Sequence, residues 1–161
     1  MIIVSACLLG VKCRYDGGST PDKKLQSMAS EVAFIPVCPE QLGGLPTPRV
    51  HAQIVDGNGE DVINGLAKVI DSNNRDLTGQ FLKGAEEVRE IARLMKVSTA
   101  IMKEKSPSCG VRFIRKNGVT KEGMGVTSAL LMREGIHVIS SDEISETTVR
   151  RIQLSGTREN R

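Results

Sequence analysis

The sequence predicts an α/β fold: a single three-layer, Rossmann-like domain over residues 1–161 with a mostly parallel sheet. Three observations predict it. Four short apolar runs, at residues 2–6, 32–37, 98–102 and 136–140, have the form of strands buried on both faces. Segments with helical spacing lie between them, and strands joined through helices pair in parallel. The length, 161 residues with 39% apolar and 25% charged side chains, fills one core but not two.

The first run, Ile2-Ile3-Val4-Ser5-Ala6, reads as a buried strand. Gly10 and Gly17-Gly18 punctuate the next segment, and residues 22–30 suit a short helix. In the second run Pro36 lacks a backbone donor, which favours a sheet edge or a bulge. Residues 38–48 hold three prolines and a Gly-Gly pair and read as loop. Gln53-Ile54-Val55 suits a small extra strand before an Asp56-Gly57-Asn58-Gly59 turn, and the pattern is weakest over residues 38–65. From Asp76, the apolar series Leu77, Phe81, Leu82, Ala85, Val88, Ile91, Ala92, Met95 steps by three and four, as an amphipathic helix requires. Gly79 and Gly84 weaken that helix without cancelling its period. After the third strand, residues 106–110 form a loop, residues 111–114 a short strand and Asn117-Gly118 a turn. Residues 125–135 read as a helix closed by Gly135. Residues 142–154, after the last strand, make a closing helix with Asp142 as its cap.

Composition narrows the function. A net charge of +3, with no dense basic run, gives no phosphate-tracking stripe, so nucleic acid is not an expected partner. The aromatics are Phe34, Phe81, Phe113 and Tyr15, too few for base-stacking platforms. No apolar stretch is long enough to cross a bilayer. The N-terminus lacks the basic region and long apolar segment of a secretory signal, so a cytoplasmic location is expected, where Cys7, Cys13, Cys38 and Cys109 serve as thiols or metal ligands rather than disulfides.

The cysteines carry the chemical signal. Cys7 follows the first strand, Cys38 the second, and Cys109 lies in the loop after the third. In open parallel sheets the ligand crevice lies at the carboxyl ends of the strands, so three thiols from distant parts of the chain converge there. Cys13 follows no strand and is read as a packed small residue. Zinc favours four closed ligands and short Cys-x-x-Cys pairs, which are absent; His51 or His137 would have to supply the fourth. Three thiolates without an evident fourth suit an iron–sulfur cluster with one iron open as a Lewis acid. Glu40, two residues after Cys38, and Ser106, three before Cys109, can accept or relay a proton beside such a centre. Taken singly, Glu40 reads equally well as a helix-capping carboxylate and Ser106 as a turn residue. Arg14, Tyr15, Asp16 and Arg49 lie in loops near the same edge, and the helix start at residues 123–127 could favour an anion. The alternative is a non-catalytic module whose thiols hold a metal or sense oxidation.

Five motifs resemble a known family. They are Ser5-Ala6-Cys7-Leu8-Leu9-Gly10; Cys13-Arg14-Tyr15-Asp16-Gly17; the block Pro36-Val37-Cys38-Pro39-Glu40-Gln41-Leu42-Gly43-Gly44-Leu45-Pro46-Thr47-Pro48-Arg49; Lys105-Ser106-Pro107-Ser108-Cys109-Gly110; and Gly125-Val126-Thr127-Ser128-Ala129-Leu130-Leu131. Together they resemble the domain of unknown function 523 family, whose characterised branch is the thiouracil desulfidases. The resemblance implies a [4Fe-4S] cluster on Cys7, Cys38 and Cys109, with Glu40 and Ser106 as acid/base residues. It implies desulfuration of a small thiolated pyrimidine, the sulfur leaving to the open iron. Met124 and Gln53 stand where the family often has acidic residues, and the Cys13 position often holds another residue.

Overall fold

The computed structural model describes residues 1–156; residues 157–161 of the predicted domain lie outside the described residues. The elements run β1 (Ile2–Ser5), a 3-10 turn (Ala6–Leu9), α1 (Lys23–Met28), β2 (Phe34–Val37), α2 (Pro39–Leu42), β3 (Ala52–Val55), α3 (Gly59–Ile63) and β4 (Lys68–Asp71). They continue with α4 (Thr78–Leu94), β5 (Thr99–Met102), β6 (Phe113–Lys116), β7 (Val119–Glu122), α5 (Val126–Arg133), β8 (His137–Ser140), a 3-10 turn (Ser141–Glu143) and α6 (Glu146–Gly156).

The predicted parallel sheet is present, in the order β2-β1-β5-β8, with every pairing parallel. Side chains of β1 alternate between two cores. Ile2 and Val4 join Leu25 and Met28 of α1 and Val149 of α6, whereas Ile3 joins Val88 and Ala92 of α4 and Leu131 of α5. Helices therefore cover both faces, which is why the strands read as continuous apolar runs. Pro36 sits on the edge strand β2, where its missing N–H breaks no ladder. The chain leaves β1 for β2 on one side and later reaches β5 on the other, so the strand order reverses between β1 and β5. Crevices of open α/β sheets form at that switch point.

Several predicted boundaries are corrected. Residues 38–48 are not all loop: Pro39, at the first helical position, starts α2 with a φ already suited to it. The small strand at residues 53–55 pairs antiparallel with β4, an element the sequence pattern did not predict, and α3 was likewise not predicted. The signal for α3 was present, since Asn58 and Asp61 form a reciprocal capping box. The strand predicted at 111–114 begins at Phe113, and the N–H groups of Val111, Arg112 and Phe113 all go to the Glu104 carboxylate. Asp142 does not cap the closing helix. It lies in the 3-10 turn, and the Ser145 hydroxyl accepts the Thr148 N–H at the start of α6.

Gly84 has a packing reason to interrupt α4. A Cβ there would lie 1.9 Å from the Pro39 carbonyl oxygen, and a Cβ on Gly43 would lie 2.1 Å from that of Gln80. Two glycines thus let α2 rest directly on α4, fixing the segment that begins with Cys38. No helix among the described residues is long and apolar enough to cross a membrane.

Candidate active site

A cavity of about 330 Å³ opens at the carboxyl edge of the sheet and is lined by all four cysteines. That is the low end of the ~300–1,000 Å³ usual for small-molecule sites. Glu40 and Ser106, the two predicted acid/base residues, line it too, as do Arg14, Tyr15, Arg49 and His51. Asp16 does not; its carboxylate accepts the Gly18 N–H and steadies its own turn. His137 is exposed at the start of β8 and is absent from the lining.

Each thiol is set by a different local device. Cys7 is buried in the 3-10 turn after β1, whose exit is made by Gly10 at φ 100°, a left-handed conformation that glycine accepts without strain. The carbonyl of Cys7 also accepts the Thr20 N–H at 3.1 Å, folding residues 11–20 back over the site. Cys38 is the N-cap residue of α2, so the chain turns at the thiol. Cys109 is buried in a loop held from both ends: Ser106 Oγ accepts the Ser108 and Cys109 N–H groups at 3.2 and 3.1 Å, and Ser128 Oγ donates to the Cys109 carbonyl at 2.7 Å.

That loop also answers the question of an anion at the start of α5. The Pro107 carbonyl accepts the Val126 N–H at 2.9 Å and the Ser108 carbonyl the Thr127 N–H at 2.8 Å. The helix amides are thus satisfied by the cysteine loop. A Cβ on Gly125 would lie 2.5 Å from the Ser108 carbonyl carbon, so this glycine permits the contact.

Cys13 is not a bystander. It is 2% exposed and lines the cavity with Cys7 and Cys38, and the Cys38 thiol donates to its carbonyl at 3.6 Å. The neighbouring Cys38 and Cys7 sulfurs hold its pKa far above the ordinary thiol value, with burial acting in the same direction. The Cys13 hydrogen bond is the largest influence on Cys7, whose pKa falls to about 6 despite burial, helped by the Thr20 hydroxyl and the charges of Lys103 and Arg14. Cys38 is lowered in the same way by Cys13, against burial, with the Gln41 N–H contributing. Cys109 goes the other way: burial and then the Glu40 charge push its thiol pKa up.

Glu40 is the hub of the polar network. One carboxylate oxygen pairs with Arg49 Nη2, and the other accepts from Ser108 Oγ at 2.6 Å. Ser108 Oγ lies 3.0 Å from Ser106 Oγ. The direction of this chain follows from counting protons. Ser108 has one hydroxyl proton and gives it to the carboxylate, so Ser106 must donate to Ser108. The result is a path Ser106–Ser108–Glu40. Ser108 is the link in this path that reading from the cysteines missed, although its place between Ser106 and Cys109 in the sequence was a usable signal. Arg49 is steadied by its backbone N–H on the Tyr15 carbonyl at 2.8 Å, and its other guanidinium nitrogen donates to Pro46 O and Thr47 Oγ1 at 3.2 Å each. Tyr15 and His51 pack edge to face at 5.0 Å beside the cavity.

A second carboxylate, Glu104, supports the Cys109 loop. It is 2% exposed. One oxygen accepts N–H groups from Val111, Arg112 and Phe113 at 2.8, 3.0 and 2.9 Å, and the other accepts from Ser140 Oγ. Burial opposes its ionisation, but the Ser140 hydroxyl and these three amides outweigh it and hold the pKa below the ordinary carboxylate value.

The donor set is suited to a cluster rather than to a single ion. Thiols dominate it, and thiolates are the ordinary cluster ligands. Among the described residues no three His, Cys, Asp or Glu side chains are grouped tightly enough to hold one metal ion. A cubane takes its thiolates at separate corners, so its ligands stand farther apart than those of one ion. The buried Thr20 hydroxyl, which finds no partner of full hydrogen-bond geometry among the described residues, acts on the Cys7 sulfur.

Comparison with known proteins places the chain among related sequences and a related structure. A family model for 2-thiouracil desulfurase matches residues 2–143. The chain is 42% identical over 149 residues to an uncharacterized protein, YbbK, of Bacillus subtilis (strain 168), covering 91% of this chain and 99% of that one. A solved structure described as a [4Fe-4S]-dependent thiouracil desulfidase, TudS (DUF523Vcz), superposes with a TM-score of 0.79 at 37% identity, covering 97% of each chain.

Proposed function

The chain belongs to the 2-thiouracil desulfurase family, and from that membership we propose that it removes sulfur from a thiolated pyrimidine at a [4Fe-4S] centre held by Cys7, Cys38 and Cys109. Family and structural neighbour together indicate a desulfidase enzyme with thiouracil desulfidase activity. The observation that carries the finer reading is the convergence of these three thiols and the Ser106–Ser108–Glu40 path on one cavity.

When bound, such a cluster supplies an iron with an open position, a Lewis acid for the thiocarbonyl sulfur. The chain's own residues do the rest. Ser106, at the cavity wall, takes a proton from the attacking water as it passes its own to Ser108, and Ser108 delivers one to Glu40. Reversal of that path returns the proton to the departing side of the ring. Arg49 fixes the Glu40 carboxylate so that its second oxygen faces Ser108. Arg14 and Lys103, whose charges act on Cys7 across the cavity, offset the negative charge of thiolates and of an oxygen gaining charge on the ring. The cavity size suits a base rather than a polymer, and this favours a small-molecule substrate.

Anaerobic reconstitution tests the reading. The chain is expected to bind about four irons, turn brown and release sulfide from 2-thiouracil. Cys7→Ala, Cys38→Ala and Cys109→Ala are each expected to lose the cluster. Iron content equal to the parent in Cys38→Ala would overturn the ligand assignment.

A further inference from the structure

Of the four cysteines, Cys13 is the one without a task in the three-ligand reading, yet it is the most central. It lines the cavity beside Cys7 and Cys38, and the Cys38 thiol donates to the Cys13 carbonyl at 3.6 Å. Cys38 is partly exposed, whereas Cys7 and Cys13 are buried. A small oxidant entering the cavity thus meets Cys38 with Cys13 already in contact behind it.

We propose that Cys13 is an oxidative modification site: when the cavity holds no cluster, hydrogen peroxide couples it to Cys38 as a disulfide that a dithiol can reopen. This rests on the reading of Cys38 as a cluster ligand only for its purpose, which is to keep that ligand recoverable. The chemistry balances with peroxide alone. The Cys38 sulfur attacks one peroxide oxygen, the O–O bond breaks, and water leaves a sulfenic acid on Cys38. The Cys13 sulfur then attacks that sulfur, the S–O bond breaks, and a second water departs. Two thiols have lost two electrons and two protons, and one peroxide has become two waters. Without a neighbouring thiol, the sulfenic acid proceeds with further peroxide to a sulfinic acid that dithiols do not reverse. Cys13 competes with that second oxidation by proximity, since the Cys38 sulfur already rests against the Cys13 backbone.

The test uses the full cluster-free chain, reduced, then treated anaerobically with equimolar hydrogen peroxide and alkylated. Trypsin cuts after Lys12 and Arg14 and so separates Cys7 from Cys13, while Cys38 lies in the peptide spanning residues 25–49. The expected product is that peptide carrying the Cys13-Arg14 dipeptide, with free thiols falling from four to two and returning to four with dithiothreitol. Cys13→Ala is expected to load iron before peroxide, and that uptake is its own baseline. After excess peroxide and dithiothreitol, its Cys38 peptide should carry two added oxygens and its iron uptake should fall several-fold, while the parent reloads fully. A Cys38 link to Cys7 or Cys109 would overturn the proposal, as would equal sulfinic acid in both proteins. Failure of Cys13→Ala to bind iron before peroxide would also overturn it, by making Cys13 a ligand. Failure of the untreated parent to take up iron would instead defeat the cluster reading, and the cross-link would still be read from the peptide masses.

Discussion

Ser108→Ala isolates the proton path from the metal site. The hydroxyl accepts from Ser106 at 3.0 Å and donates to Glu40 at 2.6 Å, so its removal parts the cavity-facing hydroxyl from the carboxylate. Glu40 keeps Arg49, and the folded state loses one hydrogen bond to a charged acceptor, worth about 1.5–3 kcal/mol. General acid–base steps contribute roughly 10²–10⁴-fold. A water filling the vacated space restores part of the connection, so the expected loss in kcat is about 10²-fold, or ~2.7 kcal/mol in barrier. Ser108 does not line the cavity, and KM should change little. The assay is sulfide release from 2-thiouracil with variant and parent matched for iron content. A kcat within twofold of the parent at equal iron would refute the path. A loss that merely follows iron content would mean that Ser108 acts through its 3.5 Å contact with the Cys109 sulfur and not through Glu40.

Gly84→Ala in α4 should destabilise, although an alanine in a helix interior ordinarily gains about 1 kcal/mol over glycine. Its Cβ would meet the Pro39 carbonyl oxygen at 1.9 Å, and the overpacking costs roughly 1–3 kcal/mol, read as a lower urea midpoint. Glu104→Gln should flatten the acid limb of stability. The Glu104 pKa is lower folded than unfolded, so its contribution is full above the unfolded value of about 4.3 and is lost as pH falls through the folded one. Urea midpoints between pH 3 and 6 that vary identically in parent and variant would contradict this.

The fold was legible where burial imposed a simple pattern. β1, β2, β5 and β8 are four residues each, and they read as apolar runs because helices cover both faces of the sheet. Their order along the chain was enough to place Cys7, Cys38 and Cys109 at one edge. The stretch from α2 to β4 was opaque for the opposite reason. Lys68 is exposed while Val69 and Asp71 are buried, so the apolar signal of β4 shrinks to Val69 and Ile70. The contact of α2 with α4 depends on glycines that, read locally, argue against a helix. The same limit hid Cys13. Nothing in its spacing says that the turn closed by Gly10 carries residues 11–13 back across the first strand's end, with the Val11 N–H on the Ala6 carbonyl at 3.2 Å.

Two glutamates near the cysteines show why spacing along the chain is a poor guide to role. Glu40 stands two residues after Cys38 and Glu104 five before Cys109, and both line the cavity. What separates them is how their oxygens are committed. Glu104 accepts four backbone amides on one oxygen and a serine on the other, so protonating it would loosen the backbone that carries Cys109. Glu40 accepts no loop amide among the contacts that fix it. It is held by a side-chain cation on one side and reached by a hydroxyl on the other, and both can stay in place while a proton arrives. On the proposed reading Glu104, saturated mainly by backbone, is a clamp, and Glu40 is the proton acceptor. That reading rests on the partners, with Arg49 and Ser108 meeting opposite oxygens of Glu40.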